Sequence, residues 1–146
     1  MRAVVTRVAS ASVTVDGAVV GAIGRGLLVL VGVAPEDSAE TVVRMAKKLV
    51  SLRIFADSAG KMNLDVRAVG GSCLLVSQFT LFGDTSRGNR PSFVGAAGPE
   101  VASERYDALC AQVAALGVPV GRGVFRADMA VASVNDGPVT LIVEQA

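Results

Sequence analysis

The sequence contains no histidine among its 146 residues. Imidazole is the general base of Ser-His-Asp and Cys-His hydrolases and a frequent zinc ligand, so its absence excludes these relays and the usual zinc sites. We therefore expect neither a metal nor a cofactor. If the protein is a hydrolase, it must work without a histidine base.

Cysteine is nearly as scarce, with only Cys73 and Cys110. Cys73 lies in a strongly apolar segment and Cys110 on a predicted helix, so we expect two buried free thiols in a reducing compartment. No apolar run approaches the roughly eighteen residues that a membrane helix requires. The segment from Met1 to Val5 lacks the layout of a secretory signal, and we expect a cytoplasmic protein.

Charge is also sparse, since 18% of the residues are charged and the formal net charge is +1. A broad basic surface for nucleic acid is therefore not expected, although Arg87 and Arg90 share a glycine-rich segment that would allow a local phosphate contact. Apolar residues make up 51% of the chain, which favours further burial in a subunit interface.

The hydrophobic pattern predicts one α/β domain spanning residues 1–146. We expect a mixed, mainly antiparallel, barrel-like sheet with two helices packed on it, because strands outnumber helices and strict strand-helix alternation is missing. Helices are predicted from Ala39 to Leu52 and from Pro99 to Leu116. Strands are predicted over residues 2–8, 11–15, 18–23, 27–33, 53–55, 72–81 and 139–143, with one or two more between 118 and 134.

The segment from Ser77 to Thr80 is polar and ends an apolar strand, just before a loop that we expect from Phe82 to Pro99. Loops of this length are usually functional or disordered, and polar side chains at such a strand end commonly line a cleft. The two hydroxyls, the Gln78 amide and the backbone N–H groups around Phe79 are candidate donors that orient a substrate and stabilise an oxyanion. The same groups would also serve a purely structural role at the end of the strand.

A second unusual segment, from Asn135 to Thr140, places Gly137-Pro138 where the last strand is predicted to begin. Proline lacks a backbone N–H and is disfavoured inside a sheet, and X-Pro is the bond at which a cis peptide is most frequent. The pair is therefore either an ordinary turn or a rigid corner that presents its carbonyl groups for recognition.

The remaining polar groups do not form a familiar catalytic set. Asp84, Asp128 and Asp136 show no obvious acid-base pairing, and turn formation explains Asp136 well enough. Ser77 or Thr80 as a covalent nucleophile has no lysine nearby in the sequence to activate it. Two alternatives stay open from the residues alone: a serine or threonine hydrolase, and a non-catalytic module that binds a metabolite or an RNA end.

Taken together, the two segments resemble the D-aminoacyl-tRNA deacylases of the bacterial and eukaryotic type. That family carries a Ser-Gln-Phe-Thr motif and a Gly-Pro-Val-Thr motif, which match Ser77 to Thr80 and Gly137 to Thr140. The similarity extends over nearly the whole chain, through residues 2–15, 24–32, 53–55, 60–63, 70–72, 90–93 and 135–140. No motif position departs from the family pattern.

The resemblance implies a homodimer that hydrolyses the ester between a D-amino acid and the 3′-terminal adenosine of tRNA, and also glycyl-tRNA mischarged on the alanine tRNA. A cis Gly137-Pro138 peptide would reach into the partner's pocket, where its carbonyls hold the α-amino group and exclude an L side chain. The 2′-hydroxyl of the tRNA would help water or attacking groups at the ester, and no side-chain nucleophile would be used. The expected partner is the aminoacyl-tRNA 3′ end, with no membrane and no DNA.

The resemblance also implies roles for single residues. Thr80, Gly137 and Pro138 would be catalytic, with Thr80 assisting the scissile carbonyl. Arg7 would brace the Gly-Pro corner, although by itself it is equally a strand-edge charge, and core packing explains Phe125 and Met129 as well as pocket lining does. The implied substrate-binding residues are Ser77, Gln78, Phe79, Arg7, Phe125 and Met129.

Overall fold

The computed structural model describes residues 1–146 and contains eight strands and two helices. A short 3-10 helix, Phe79–Phe82, follows the sixth strand. In chain order the elements are β1 Arg2–Val15, β2 Ala18–Ile23, β3 Gly26–Gly32, α1 Ala39–Ser51, β4 Phe55–Ala56, β5 Met62–Leu64, β6 Ser72–Ser77, α2 Pro99–Ala115, β7 Val120–Arg122 and β8 Ala130–Glu144.

The long strand β1 organises the main sheet. Its first half pairs antiparallel with β3 and its second half with β2, while β8 pairs antiparallel along almost its whole length. β3 then pairs parallel with β6, and β6 pairs parallel with β7. The sheet is therefore mixed, as predicted. The two strands predicted at residues 2–8 and 11–15 are one strand in the structure, because β8 supplies partners on both sides of the irregular stretch from Val8 to Ser10.

The sheet curls until it is nearly closed, with β2 lying close to β7. Gly21 of β2 marks this approach, because a Cβ at that position would collide with the backbone carbonyl of Arg122. The enclosed side is filled by a small apolar cluster that includes Val13, Leu74 and Val76. The predicted barrel-like sheet is therefore confirmed, and glycine at position 21 leaves room for β2 to approach β7.

The two helices cover the other side of the sheet and enclose the larger core. Ser38 caps α1, where its side chain accepts a hydrogen bond from the backbone N–H of Thr41. In α2 the buried Tyr106 donates its hydroxyl hydrogen bond to the carbonyl of Leu75, over 2.8 Å. α1 and α2 end one residue earlier than predicted, at Ser51 and Ala115. Neither helix combines the length and apolar character needed to cross a lipid bilayer.

Three predicted strand limits were wrong. The strand predicted over 72–81 ends at Ser77, because the chain turns into the 3-10 helix, whose Leu81 N–H bonds back to the Gln78 carbonyl over 3.2 Å. The last strand does not begin after Gly137-Pro138 but runs through it as β8. β4 also begins at Phe55 rather than Arg53. Of the loop predicted from Phe82 to Pro99, the first residue ends the 3-10 helix and the last begins α2, and residues 83–98 contain an isolated bridge between Asp84 and Ser92.

Candidate active site

A cavity of about 510 Å³ opens at the C-terminal end of β6. One wall is formed by Ser77, Gln78 and Phe79, which leave the strand in succession, and the opposite wall includes Phe125 and Met129. The structure thus brings five of the residues predicted for the site around one space. Such a concave, largely apolar pocket with a few convergent polar groups is the usual form of a small-ligand site.

The position of the first wall follows from the strand that precedes it. β6 lies between β3 and β7, and its residues from Cys73 to Val76 are buried. Ser77 pairs with Val31, and the N–H of Gln78 donates to the Val31 carbonyl over 2.7 Å. This last bond fixes the point at which polar side chains leave the core and enter the cavity.

Thr80 stands at the rim rather than in the lining of the cavity. It is exposed on the 3-10 helix, and the side-chain amide of Gln78 donates a hydrogen bond to its hydroxyl oxygen. Arg2 of β1 holds this helix in place by donating to the Leu81 carbonyl over 2.8 Å. The Thr80 hydroxyl is therefore oriented by a neutral amide, not by a base.

The long loop folds back onto the cavity mouth through an aromatic pair. The rings of Phe79 and Phe93 are 5.0 Å apart and meet edge to face at 71°. Phe79 is nevertheless 54% exposed, which leaves one side of its ring open. The Asp84 carboxylate accepts a hydrogen bond from the Ser86 N–H, and this bond lowers the pKa of Asp84. Asp84 therefore belongs to a turn of the loop and not to an acid-base pair.

The second wall comes from the segment between β7 and β8. Phe125 packs against Tyr106, with ring centroids 6.3 Å apart, and Met129 sits against Gly123. Arg126 and Asp128 also line the cavity and were missed as site residues. Arg126 adopts a positive φ of 65°, which turns the segment over the cavity and which no residue pattern predicts for an arginine.

The Gly-Pro segment forms a wide bulge in β8. Val8 pairs with Asn135 and Thr6 with Thr140, so four residues of β8 oppose Arg7 alone. The Gly137-Pro138 peptide is cis, and all residues from Asn135 to Pro138 are exposed. The Asn135 carboxamide closes the bulge by accepting from the Val139 N–H over 3.0 Å and donating to the Thr140 hydroxyl over 3.2 Å.

Arg7 fills the space beneath this bulge. Its Nε donates to the Asp136 carbonyl over 2.9 Å, and its Nη1 donates to the Ile54 carbonyl over 2.6 Å. A Cβ on Gly137 would lie 2.8 Å from the Nη2 of Arg7, and Gly137 has a φ of +137°. Glycine is therefore required here on two counts, steric contact and backbone conformation.

The cavity and the bulge are separate features of one chain. Neither Gly137 nor Pro138 lines the cavity, and strands β1 and β3 lie between β8 and β6 in the sheet. The residues predicted for one site thus fall into two groups. Ser77, Gln78, Phe79, Phe125 and Met129 surround the cavity with Thr80 at its rim, whereas Arg7 accompanies the Gly-Pro bulge.

The two thiols are buried and unpaired, which confirms the sequence prediction. Burial raises the pKa of Cys73 to about 12, and it also raises the pKa of Cys110. A thiol in this state carries almost no thiolate at neutral pH, so neither cysteine is a nucleophile.

Comparison with known families gives a match over residues 4–144 to the family described as D-Tyr-tRNA(Tyr) deacylase. The chain belongs to this family. Proteins named D-aminoacyl-tRNA deacylase from Deinococcus radiodurans and Anaeromyxobacter dehalogenans are 60% and 59% identical to it, covering 99% of this chain and 99% and 97% of their own lengths. The relative from Chloroflexus aurantiacus is 56% identical over 100% of this chain and 91% of its own.

Two solved structures share the fold of this chain. A structure named c-Myc DNA Unwinding Element Binding Protein superposes with a TM-score of 0.94 at 41% identity, covering 99% of this chain and 98% of the other. A probable eukaryotic D-amino acid tRNA deacylase gives a TM-score of 0.84 at 16% identity, with 97% of each chain covered, and so supports the fold alone. The family resemblance predicted from the two motifs is confirmed, and the deacylase family makes the chain an enzyme of the hydrolase class.

Proposed function

We propose that the protein hydrolyses the ester bond of D-aminoacyl-tRNA, releasing a free D-amino acid and tRNA, and that it leaves L-aminoacyl-tRNA intact. The observation that carries this proposal is the Ser77 to Thr80 motif, which leaves a buried strand at the edge of a 510 Å³ cavity and has no basic side chain bonded to its hydroxyls. High identity over the full length to proteins named for this activity supports the same substrate class.

The site is proposed to be shared between two copies of the chain. β8 pairs only with β1, so its other edge is unpaired over a length of 15 residues. Its exposed apolar side chains include Val134 at 58% and Ile142 at 73%. A long apolar edge strand is a template for pairing with another chain. A homodimer through β8 would cover it and would bring the Gly-Pro bulge of one copy to the cavity of the other.

Chiral selection is proposed to rest on the carbonyls of Gly137 and Pro138. Two fixed carbonyl oxygens accept hydrogen bonds from the α-ammonium group of the substrate, and the backbone beside them occupies the space that an L side chain needs. A D side chain points away from this backbone, so different D-amino acids are accepted. Glycine has no side chain to exclude, and glycyl-tRNA mischarged on the alanine tRNA is accordingly also a substrate.

Ester cleavage is proposed to proceed by attack of water on the ester carbonyl, assisted by the 2′-hydroxyl of the terminal adenosine. The 3′-oxygen then leaves with a proton, the free amino acid is released, and no acyl-enzyme forms. The Thr80 hydroxyl, which the Gln78 amide orients, assists the ester carbonyl as negative charge develops on its oxygen. The cavity wall that faces the adenosine is formed by Ser77, Gln78 and Phe79, and the open face of the Phe79 ring suits stacking with the adenine base. Phe125 and Met129 complete the pocket wall. The partner is the 3′ end of tRNA, in the cytoplasm.

The test is hydrolysis of D-tyrosyl-tRNA and L-tyrosyl-tRNA in the presence of a chelator. We expect rapid release of D-tyrosine and no release of L-tyrosine above the spontaneous rate. A substrate that ends in 2′-deoxyadenosine should be hydrolysed far more slowly than its ribose counterpart. Release of both enantiomers would overturn the chiral proposal, and a trapped acyl ester on Ser77 or Thr80 would establish the covalent alternative.

A further inference from the structure

A second depression, of about 440 Å³, runs along the C-terminal half of α1. Four of the seven residues around it are cationic, namely Arg44, Lys47, Lys48 and Arg53, and only one is apolar. We propose that this α1 cleft binds the phosphate backbone of the tRNA acceptor stem. The inference rests on the proposed function, because it assumes that tRNA is the substrate.

The charge of the α1 cleft is largely uncompensated. Arg44 pairs with Glu40 at 2.6 Å, but neither Lys47 nor Lys48 forms an ion pair, and both are exposed. The guanidinium of Arg53 is held by Asn63, whose carbonyl and side-chain oxygens carry no net charge. Three positively charged side chains that form no ion pair, those of Lys47, Lys48 and Arg53, therefore lie within one short stretch of a chain whose net charge is only +1. Such a local concentration attracts a polyanion even though the whole molecule does not.

The α1 cleft also lies beside the Gly-Pro bulge. Ile54 follows Arg53 directly, and its carbonyl accepts a hydrogen bond from Arg7 over 2.6 Å. The same arginine side chain donates to the Asp136 carbonyl, next to Gly137. One side chain thus connects the end of the cleft with the corner that is proposed to enter the partner's cavity. A tRNA whose 3′ end occupies that shared site leaves it next to the α1 cleft.

The chemistry of the cleft suits phosphate rather than a base edge. Lysine ammonium groups act as point charges toward phosphate oxygens, and an arginine held by neutral oxygens keeps further N–H donors free. No aromatic side chain is present on which an unpaired base would stack. The contact is therefore with the backbone of a duplex and contributes affinity without sequence preference.

The test removes two charges from the cleft and compares the variant with a matched one. Lys47→Gln/Lys48→Gln removes two of the four positive charges of the cleft, while Lys61→Gln/Arg67→Gln removes two positive charges from exposed residues that do not line it. Binding of uncharged fluorescent tRNA is measured by anisotropy over a series of salt concentrations. Hydrolysis is measured with D-tyrosyl-tRNA and with a D-tyrosyl CCA trinucleotide, which has the reacting end but no stem.

For the cleft variant we expect a several-fold higher KM with D-tyrosyl-tRNA, an unchanged kcat and unchanged hydrolysis of the trinucleotide. The slope of log affinity against log salt should fall by about 2, one for each lost phosphate contact. Equal effects in the control variant, or an unchanged slope in the cleft variant, would overturn the proposal. If the unaltered enzyme binds tRNA but hydrolyses neither substrate, the deacylase proposal fails and the binding slopes alone decide on the cleft.

Discussion

The contact between Arg7 and Gly137 makes a sharp prediction at the scale of single residues. Gly137→Ala places a methyl group 2.8 Å from the Arg7 guanidinium and forces alanine into a φ of +137°. We expect a loss of about 1–3 kcal/mol in stability, from denaturant unfolding, together with loss of D-tyrosyl-tRNA hydrolysis.

Gly60→Ala is the matched control for that substitution. Gly60 also has a positive φ, of +76°, but a Cβ there meets nothing within 4 Å. The Gly60→Ala variant should therefore lose stability because of its backbone conformation but keep full hydrolysis of D-tyrosyl-tRNA. Equal activity of both variants would show that the corner is not part of the site.

A second residue-scale prediction concerns the buried ion pair between the α-ammonium of Met1 and Asp37. The two atoms are 2.5 Å apart, with the side chains 0% and 2% exposed, and Asp37 also accepts from the Ala34 N–H over 2.7 Å. Asp37→Asn leaves a buried ammonium without its counter-charge, so urea unfolding should show a loss of about 3–5 kcal/mol. Glu144→Gln breaks the exposed pair with Arg2 and should cost less than about 1 kcal/mol. Equal losses in the two variants would contradict this account.

At the scale of elements, periodicity predicted both helices to within one residue at each end, since their apolar stripes and caps are local features. The course of β8 was not predictable in the same way. Gly137-Pro138 is a strong local breaker, but pairing of β8 with β1 on both sides of it continues the strand through the pair.

The candidate site was likewise predictable only in part. The Ser77 to Thr80 motif showed where one wall lies, while Arg126 and Asp128 reach the cavity through a backbone turn that residue types do not reveal.

Because Cys73 is buried in the central strand β6, we predict that the free energy of unfolding depends on pH in the alkaline range. Burial raises the pKa of Cys73 from 9.0 to about 12, so the folded state keeps a proton that the unfolded state releases. The stability from this group is present below pH 9 and is lost as the pH rises toward 12. Between pH 8 and pH 10 the loss from Cys73 alone is about 1 kcal/mol. Urea unfolding of Cys73→Ala should show a correspondingly smaller decline over this range, and an identical decline would refute the assignment.

At the scale of the whole molecule, the proposed chemistry explains why the chain can do without histidine. A catalytic base is not needed where the substrate supplies a neighbouring hydroxyl and the protein supplies oriented donors. In this proposal the protein must supply a fixed backbone corner that excludes an L side chain and leaves a D side chain free. In one chain that corner and the cavity are separated by two strands, so the proposed mechanism requires a second copy of the chain.

This requirement predicts that activity depends on association. Ile142→Asp places a charge at the most exposed large apolar side chain of β8, whereas Val19→Asp makes the same kind of change on β2, at a side chain that is 64% exposed. We expect sedimentation to show a dimer for the unaltered protein and for the Val19 variant, and a folded monomer without D-tyrosyl-tRNA hydrolysis for the Ile142 variant. A fully active monomer would refute the shared site, because a single chain would then join its own corner to its own cavity.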